Sequence, residues 1–345
     1  MPETLLAVRN LKKYFPVRTG WLQPAEYVRA VDDVSFTIRR GETLGLVGES
    51  GSGKTTVGRT ILRAIAPTAG EIVITLSGED SIDLAPLTRR DIRPLRQHMQ
   101  MIFQDPYASL SPRMTVRDII AEPLVAGKLA SGDEIDRRVR DIAERCRLNV
   151  EHLRRFPHAF SGGQRQRIGI ARALISNPSF VVCDEPVSAL DVSIQAEILN
   201  LLEDLQQERG LTYLFIAHDL SVVEHISDRV AVMYLGQIVE LAPTQQIFAV
   251  PHHPYTEALL SSVPEPDPHI EMQPIPLKGE IPNPVKPPSG CYFHPRCPYV
   301  QDKCRAEPPL LREYQPGHFA ACHFADELQL VGRYTPPEAA ADSPH

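Results

Sequence analysis

The sequence lacks any run approaching the ~20 apolar residues that a membrane-spanning helix needs, and Met1 to Tyr14 lack the apolar core of a secretory signal. A protein that stays in the cytosol is expected. Positive charge is not in excess either: 36 Lys and Arg stand against 43 Asp and Glu, a formal net charge of −7. The molecule as a whole is therefore no polycation built to bind nucleic acid. No segment recurs at a fixed period, and with 43% hydrophobic and 23% charged residues neither wholesale disorder nor a fibre fits. At ~100–200 residues per domain, 345 residues allow one large or two modest domains. For a leaderless chain this long, six cysteines point to buried thiols, metal ligands or catalysis rather than to disulfides.

Proline is unevenly spread, since 19 of the 32 prolines fall between Pro251 and Pro344 and composition changes near residue 250. Upstream, the apolar runs Leu44 to Val47, Met99 to Phe103, Phe180 to Cys183, Tyr213 to Ala217 and Val230 to Met233 read as buried strands. Gly53 to Ala66, Glu134 to Arg147, Gly163 to Ile175 and Ile194 to Glu208 have helix-compatible spacing, which together predicts an α/β fold. Val28 to Ile38 alternates instead, as a half-exposed antiparallel strand does. Val263 to Ser289 is Pro-rich and aperiodic, as in an extended wrapping arm or linker.

Gly48-Glu49-Ser50-Gly51-Ser52-Gly53-Lys54-Thr55 fits G-x-x-x-x-G-K-[ST], follows a buried strand and opens a helix, with Thr56 next in line. Glycines let backbone N–H groups turn inward around phosphate oxygens, and the helix N-terminus adds positive potential. Lys54 is then expected to reach the β- and γ-phosphates and Thr55 to ligate Mg²⁺. The run Phe180 to Cys183 ends in Asp184-Glu185, two carboxylates at the carboxyl end of a buried strand, where α/β sheets place ligands. Alone, that pair also suits a cap for the helix beyond Pro186. Beside a phosphate loop, Asp184 is the expected Mg²⁺ partner, direct or through water. Glu185 is expected to orient and polarise the attacking water.

Phe160-Ser161-Gly162-Gly163-Gln164 leads into the basic helix Arg165 to Leu174 just before the Asp184-Glu185 strand. With that segment, residues 4 to about 250 resemble an ATP-binding-cassette (ABC) ATPase with every landmark in order, although Phe160 replaces the commoner Leu. The resemblance implies an ABC-type nucleotide-binding domain over 1–250: a P-loop core sheet, an antiparallel β subdomain and an α-helical subdomain at about 105–160. It places Tyr14 against adenine, with Phe15 as a rival, and makes Gln104 the sensor of Mg²⁺ and water. His218 becomes the γ-phosphate histidine, while Asp191, in Ser188-Ala189-Leu190-Asp191, touches the opposite subunit. It also implies head-to-tail pairing, in which Ser161, Gly162, Gly163 and Gln164 of one chain close over ATP held by Lys54 and Thr55 of the other.

Cys146 and Cys183 sit in apolar settings and read as inert core thiols. Cys291, Cys297, Cys304 and Cys322 cluster in the tail as C-x5-C-x6-C-x17-C. Four thiols there suggest a metal staple for a segment with little core of its own. The C-x₂₋₄-C pairs usual for zinc are missing, and four thiolates suit a [4Fe–4S] cluster, while His294, His318 and His323 keep zinc open. The stretches His253 to Leu260, Gly290 to Cys297, Gln104 to Leu110 and Glu185 to Ser193 resemble the ATPases of dipeptide and oligopeptide importers, to about residue 325. Some members of that group carry an iron–sulfur cluster in the matching tail, so [4Fe–4S], zinc and free thiols all stand as readings of the 251–345 extension.

That resemblance implies a peripheral ATPase on the cytoplasmic face of a bacterial membrane, using ATP and Mg²⁺ and binding no nucleic acid. Its implied partners are two permease subunits, a second cassette ATPase, identical or not, and indirectly an extracytoplasmic substrate-binding protein. Relatives move nickel, glutathione or antimicrobial peptides as well as di- and oligopeptides. A soluble cassette ATPase and an iron–sulfur-linked sensor are the rival readings.

Overall fold

A computed structural model of the chain describes residues 3–17, 26–76, 81–264 and 274–333. In chain order the elements are β1 (Thr4–Val17), β2 (Glu26–Arg39), β3 (Thr43–Val47), α1 (Lys54–Ile61), β4 (Ala69–Thr75), β5 (Ser81–Asp83), β6 (Met99–Ile102), α2 (Val116–Gly127) and α3 (Asp133–Arg145). They continue with α4 (Gly162–Leu174), β7 (Phe180–Asp184), α5 (Val192–Arg209), β8 (Thr212–Ile216), α6 (Leu220–Ile226), β9 (Arg229–Tyr234) and β10 (Gln237–Pro243). The last are α7 (Thr244–Ala249), α8 (Pro254–Ser261), α9 (Asp302–Ala306), β11 (Arg312–Gln315) and β12 (His318–Ala320). Three 3₁₀ turns, at Pro94–His98, Val150–His152 and Pro157–Ala159, link elements around the helical region.

Among the described residues these strands make two sheets, one of order β2-β1-β4-β5 and one of order β11-β12-β10-β9-β3-β8-β7-β6. The first is antiparallel throughout. In the second, β9, β3, β8, β7 and β6 run parallel. Strand β7 shows why a continuous apolar run was needed: its side chains alternate faces, and both faces are covered. Phe180 and Val182 join Leu5, Ile38, Ile72 and Val57 between the two sheets. Val181 and Cys183 face the helices with Ile119, Ile168 and Leu202.

The expected strands and helices form, with one helix shorter than its spacing suggests. Gly53 to Ala66 reads as one helix, yet α1 stops at Ile61 because Arg63 turns left-handed at φ 54°. Its guanidinium there donates to the carbonyls of Leu84 (2.8 Å) and Leu87 (2.7 Å), so a tertiary contact overrides local propensity.

The Pro-rich arm is described from residue 274, and 274–289 contains no helix or strand. It runs along the antiparallel sheet, with the Arg29 amide donating to the Pro284 carbonyl at 3.2 Å and Lys286 pairing with Glu26 at 2.9 Å. Beyond it, β12 pairs antiparallel with β10, so the extension continues the main sheet. Neither β11 nor β12 was legible as a strand. At that seam the fully buried His318 meets Glu240 at 2.7 Å, and the Glu240 carboxylate also accepts the amides of His252 (2.6 Å) and His253 (3.0 Å).

Candidate active site

Four adjacent parallel strands deliver the chemistry of one cleft from their carboxyl ends, as the sheet architecture dictates. The phosphate loop follows β3, Gln104 lies two residues after β6, Asp184 ends β7 with Glu185 next, and His218 lies two residues after β8. The cleft has a volume of about 260 Å³ and is lined by Ser50, Gly51, Gly53, Lys54, Thr55, Thr56, Gln104 and Glu185 from this set.

The loop needs glycine where the chain runs closest to its neighbours. A Cβ on Gly48, whose φ is +148°, would lie 2.1 Å from the Met233 carbonyl oxygen; one on Gly53, φ +108°, would lie 2.1 Å from that of Ala30. Ser52 is buried beneath the loop. Lys54 Nζ donates to the carbonyls of Gly48 (2.7 Å) and Glu49 (2.9 Å). Burial lowers the Lys54 pKa, opposed by Glu185, Asp184 and Glu49. The ammonium is therefore held among carboxylates and loop oxygens, able to exchange these partners for phosphate.

The Thr55 hydroxyl donates to Asp184 Oδ1 at 2.7 Å, which puts a hydroxyl oxygen and a carboxylate side by side, the oxygen-rich pair that Mg²⁺ takes. Burial raises the Asp184 pKa, while the Thr55 bond and Arg59, 3.9 Å away, act against that rise. Glu185 adopts a left-handed backbone, φ 46°, a strained conformation for a residue with a Cβ. Its amide donates to the Ile216 carbonyl at 2.9 Å. Its Oε2 accepts from Gln104 Nε2 at 2.8 Å and lies 3.1 Å from His218 Nδ1. Three strand ends thus converge on one carboxylate oxygen.

Ser161, Gly162, Gly163, Gln164 and Asp191 lie outside the lining of this cleft. Ser161 caps α4 in a reciprocal box: its Oγ accepts the Gln164 amide at 3.3 Å and Gln164 Oε1 accepts the Ser161 amide at 3.1 Å. Tyr14 is not in the lining either. Its hydroxyl donates to Asp32, whose other oxygen accepts from Tyr292 at 2.9 Å, while its strand partner Arg29 does line the cleft. Val28, Ala30, Leu235, Gly236 and Pro284 complete the wall. No motif marks these; they come from β2, the β9–β10 turn and the distant extension.

Cys291, Cys297, Cys304 and Cys322 form no disulfide and line one pocket with Phe293, Phe324 and Leu328. Burial pushes Cys291 and Cys322 up to about 11 and Cys297 up to about 12. Among the described residues, however, no group of three or more His, Cys, Asp or Glu is placed to hold a metal ion. Neither the [4Fe–4S] reading nor the zinc reading, with His294, His318 or His323 as a ligand, gains geometric support from this arrangement. Cys146 and Cys183 are wholly buried core thiols, both pushed up by desolvation.

Residues 31–188 match the family model described as ABC transporter, and residues 239–304 match the one described as oligopeptide/dipeptide transporter, C-terminal region. A putative peptide import ATP-binding protein of Brucella ovis is 54% identical over 93% of this chain and 98% of its own. The oligopeptide transport ATP-binding protein AppF of Bacillus subtilis is 52% identical over the same shares. Among solved structures, the dimeric ATP-binding cassette MJ0796 in a post-hydrolysis state with ADP and Pi superposes with a TM-score of 0.61 at 28% identity. That match covers 70% of this chain and 99% of that one. The two stacked sheets, the phosphate loop facing the Asp184-Glu185 pair, and these relatives lead to one conclusion: the chain belongs to the ABC transporter ATPases that carry the oligopeptide/dipeptide transporter C-terminal region.

Proposed function

We propose that this chain is the ATP-hydrolysing subunit of a di- or oligopeptide importer, working at the cytoplasmic face of a bacterial membrane. The observation that carries the catalytic part is the single oxygen of Glu185, held by Gln104 and His218 beside the Thr55–Asp184 pair. In this reading the phosphate-loop amides and Lys54 hold the phosphates, and Thr55 with Asp184 would hold Mg²⁺, which would supply neutralisation of phosphate charge. Gln104 orients Glu185, Glu185 polarises the water, and His218 steadies the γ-phosphate. Tyr14, the strand partner of the cleft-lining Arg29, is the aromatic residue assigned to the base in this reading.

Ser161, Gly162, Gly163, Gln164 and Asp191 lie outside their own chain's cleft, and Val192 beside Asp191 is 82% exposed. Both facts support their use by a second cassette subunit in a head-to-tail dimer that ATP closes and hydrolysis releases. A groove lined by Arg93, Gln100, Phe103, Pro123, Leu129 and Arg172 lies between the β6 end and α2, with Val125 exposed nearby. It supports docking of a permease on the helical subdomain of about 105–160, within an ATPase domain of 1–250. No described helix is long and apolar enough to cross a membrane. Peptide as cargo rests on what the relatives' names say they import; nickel, glutathione and antimicrobial peptides remain the alternative cargoes.

For the cysteines, the supporting observation is their common pocket. Cys291, Cys297, Cys304 and Cys322 all line it, although no metal-holding group of three or more His, Cys, Asp or Glu is found among the described residues. A [4Fe–4S] cluster bound there would act as a structural clip for the 251–345 extension, and Cys291, Cys297, Cys304 and Cys322 would hold it as thiolates. Iron and acid-labile sulfide in the anaerobically purified protein, lost in C291S, would support this; their absence from wild type would leave free thiols.

The experiment that tests the whole reading is affinity purification of tagged E185Q with ATP from gently solubilised native membranes. Recovery of two permeases and a second cassette ATPase is expected. Recovery of ribosomes, repair factors or nothing would refute the importer reading while leaving the ATPase chemistry intact.

A further inference from the structure

The phosphate loop is gripped from outside by the C-terminal extension. Glu49, the first variable residue of the loop, accepts two hydrogen bonds from Arg296, Nη1 at 2.7 Å and Nη2 at 3.1 Å. The Arg296 side chain is only 6% exposed, so this pair is largely shielded from water. Fork-to-carboxylate pairing of this kind fixes direction as well as distance. Such a pair differs from an exposed surface ion pair, whose contribution to stability is small.

The other end of Glu49 is held as well. Its amide donates to the Tyr255 hydroxyl at 2.9 Å, and its carbonyl accepts from Lys54 Nζ at 2.9 Å. Tyr255 packs against Tyr234 (4.7 Å between ring centroids) and Phe293 (5.4 Å), and the Arg296 guanidinium lies 5.9 Å from the Tyr234 ring. Arg296 thus comes from a short turn wedged by buried aromatics. That turn is bracketed by Cys291 and Cys297, both lining the cysteine pocket.

Two physical consequences follow. Glu49, whose carbonyl helps set where Lys54 rests, is held at three points: its amide, its carbonyl and its carboxylate. The Glu49 carboxylate, a negative charge in a loop that receives phosphate, is neutralised by a partner that stays fully charged, held so by that hydrogen bond and charge. Without Arg296 the carboxylate would be free to swing toward the phosphates and repel them.

We propose that Arg296 is a positioning residue for nucleotide binding: through its paired bond to Glu49, the C-terminal extension sets the shape and charge of the phosphate loop. This rests on reading Gly48 to Thr55 as the phosphate site. The extension is then a working part of the ATP site rather than an appendage to the cassette.

The test is ATP affinity of the purified full-length chain, measured by titration with a fluorescent ATP analogue, alongside steady-state kinetics and thermal melting. R296M is expected to weaken binding at least about tenfold, the size of a lost charge-assisted hydrogen bond, raising KM while kcat at saturating ATP stays near wild type. R296K, which keeps the charge but not the fork, should recover part of the affinity. E49Q leaves the extension's packing intact and should alone alter affinity, and R296M with E49Q should be non-additive. K286A, which removes the exposed Lys286–Glu26 pair of the same extension, should bind ATP normally.

If R296M and E49Q both melt lower but bind ATP as wild type does, or if their effects simply add, Arg296 only pins the extension and the proposal falls. K54A separates the two levels of the argument. If K54A abolishes binding and R296M does not alter it, only this inference fails; if K54A binds normally, the phosphate-site reading fails with it.

Discussion

Glu185 is held in a conformation its own chemistry disfavours, and what holds it is assembled from three strands. A left-handed residue with a Cβ costs of order 1–3 kcal/mol. Here the Ile216 carbonyl takes its amide while Gln104 and His218 take its carboxylate. Replacing Glu185 by Gln keeps shape and removes the charge that polarises water. ATP binding should persist while hydrolysis drops by about 10²–10⁴, measured as phosphate release at saturating ATP; near-normal turnover would remove Glu185 from the catalytic role. Lys54→Ala should act the other way, losing affinity first. Lys54, Thr55 and Asp184–Glu185 were legible from motif and strand context. Arg29, Leu235 and Pro284 were not, because lining a cleft depends on where remote loops arrive rather than on residue type.

At the scale of elements, α8 shows how one cap ties local structure to pH. His253 precedes Pro254 and uses its Nδ1 to accept the Tyr255 amide at 3.0 Å, which only an unprotonated nitrogen can do. It is buried, and desolvation pushes its pKa down to about 3 from 6.5. The folded state thus refuses a proton that the unfolded chain accepts. This contribution is complete above about pH 6.5 and is lost progressively as pH falls toward the folded value, roughly 2 kcal/mol by pH 5. H253N retains a capping side chain that does not titrate in this range. Its thermal midpoint should therefore fall less between pH 7 and pH 5 than that of wild type; parallel pH profiles would contradict the assignment. The α4 cap is simpler, and S161A should cost about 1 kcal/mol of stability by chemical denaturation. Helix and strand cores were readable because periodicity reports burial directly. The end of α1 was not, since Arg63 turns left-handed to reach Leu84 and Leu87 across the fold.

For the whole molecule, the separation of Ser161 to Gln164 and Asp191 from their own cleft makes association the next question. E185Q with ATP and Mg²⁺ should shift from monomer toward dimer in light scattering after size exclusion, whereas K54A should remain monomeric under the same conditions. A dimer that forms equally without nucleotide would argue against ATP-driven closure. The extension adds a second molecular-scale feature: β12 extends the central sheet, Tyr292 reaches Asp32 and Arg296 reaches Glu49. A pocket shared by four cysteines so close to these contacts makes the tail part of the enzyme's architecture.

The sequence by itself determined the α/β class, the phosphate loop, the Asp184–Glu185 carboxylate pair and the family. Each of these is written in contiguous residues whose spacing must suit a strand end or a helix start. Only the tertiary structure decided which oxygen of Glu185 is shared, that the Tyr14 hydroxyl is bonded to Asp32, and that the extension grips the phosphate loop. Those outcomes depend on pairs such as Glu49 and Arg296, 247 residues apart, and no local pattern encodes the path that brings them to hydrogen-bonding distance.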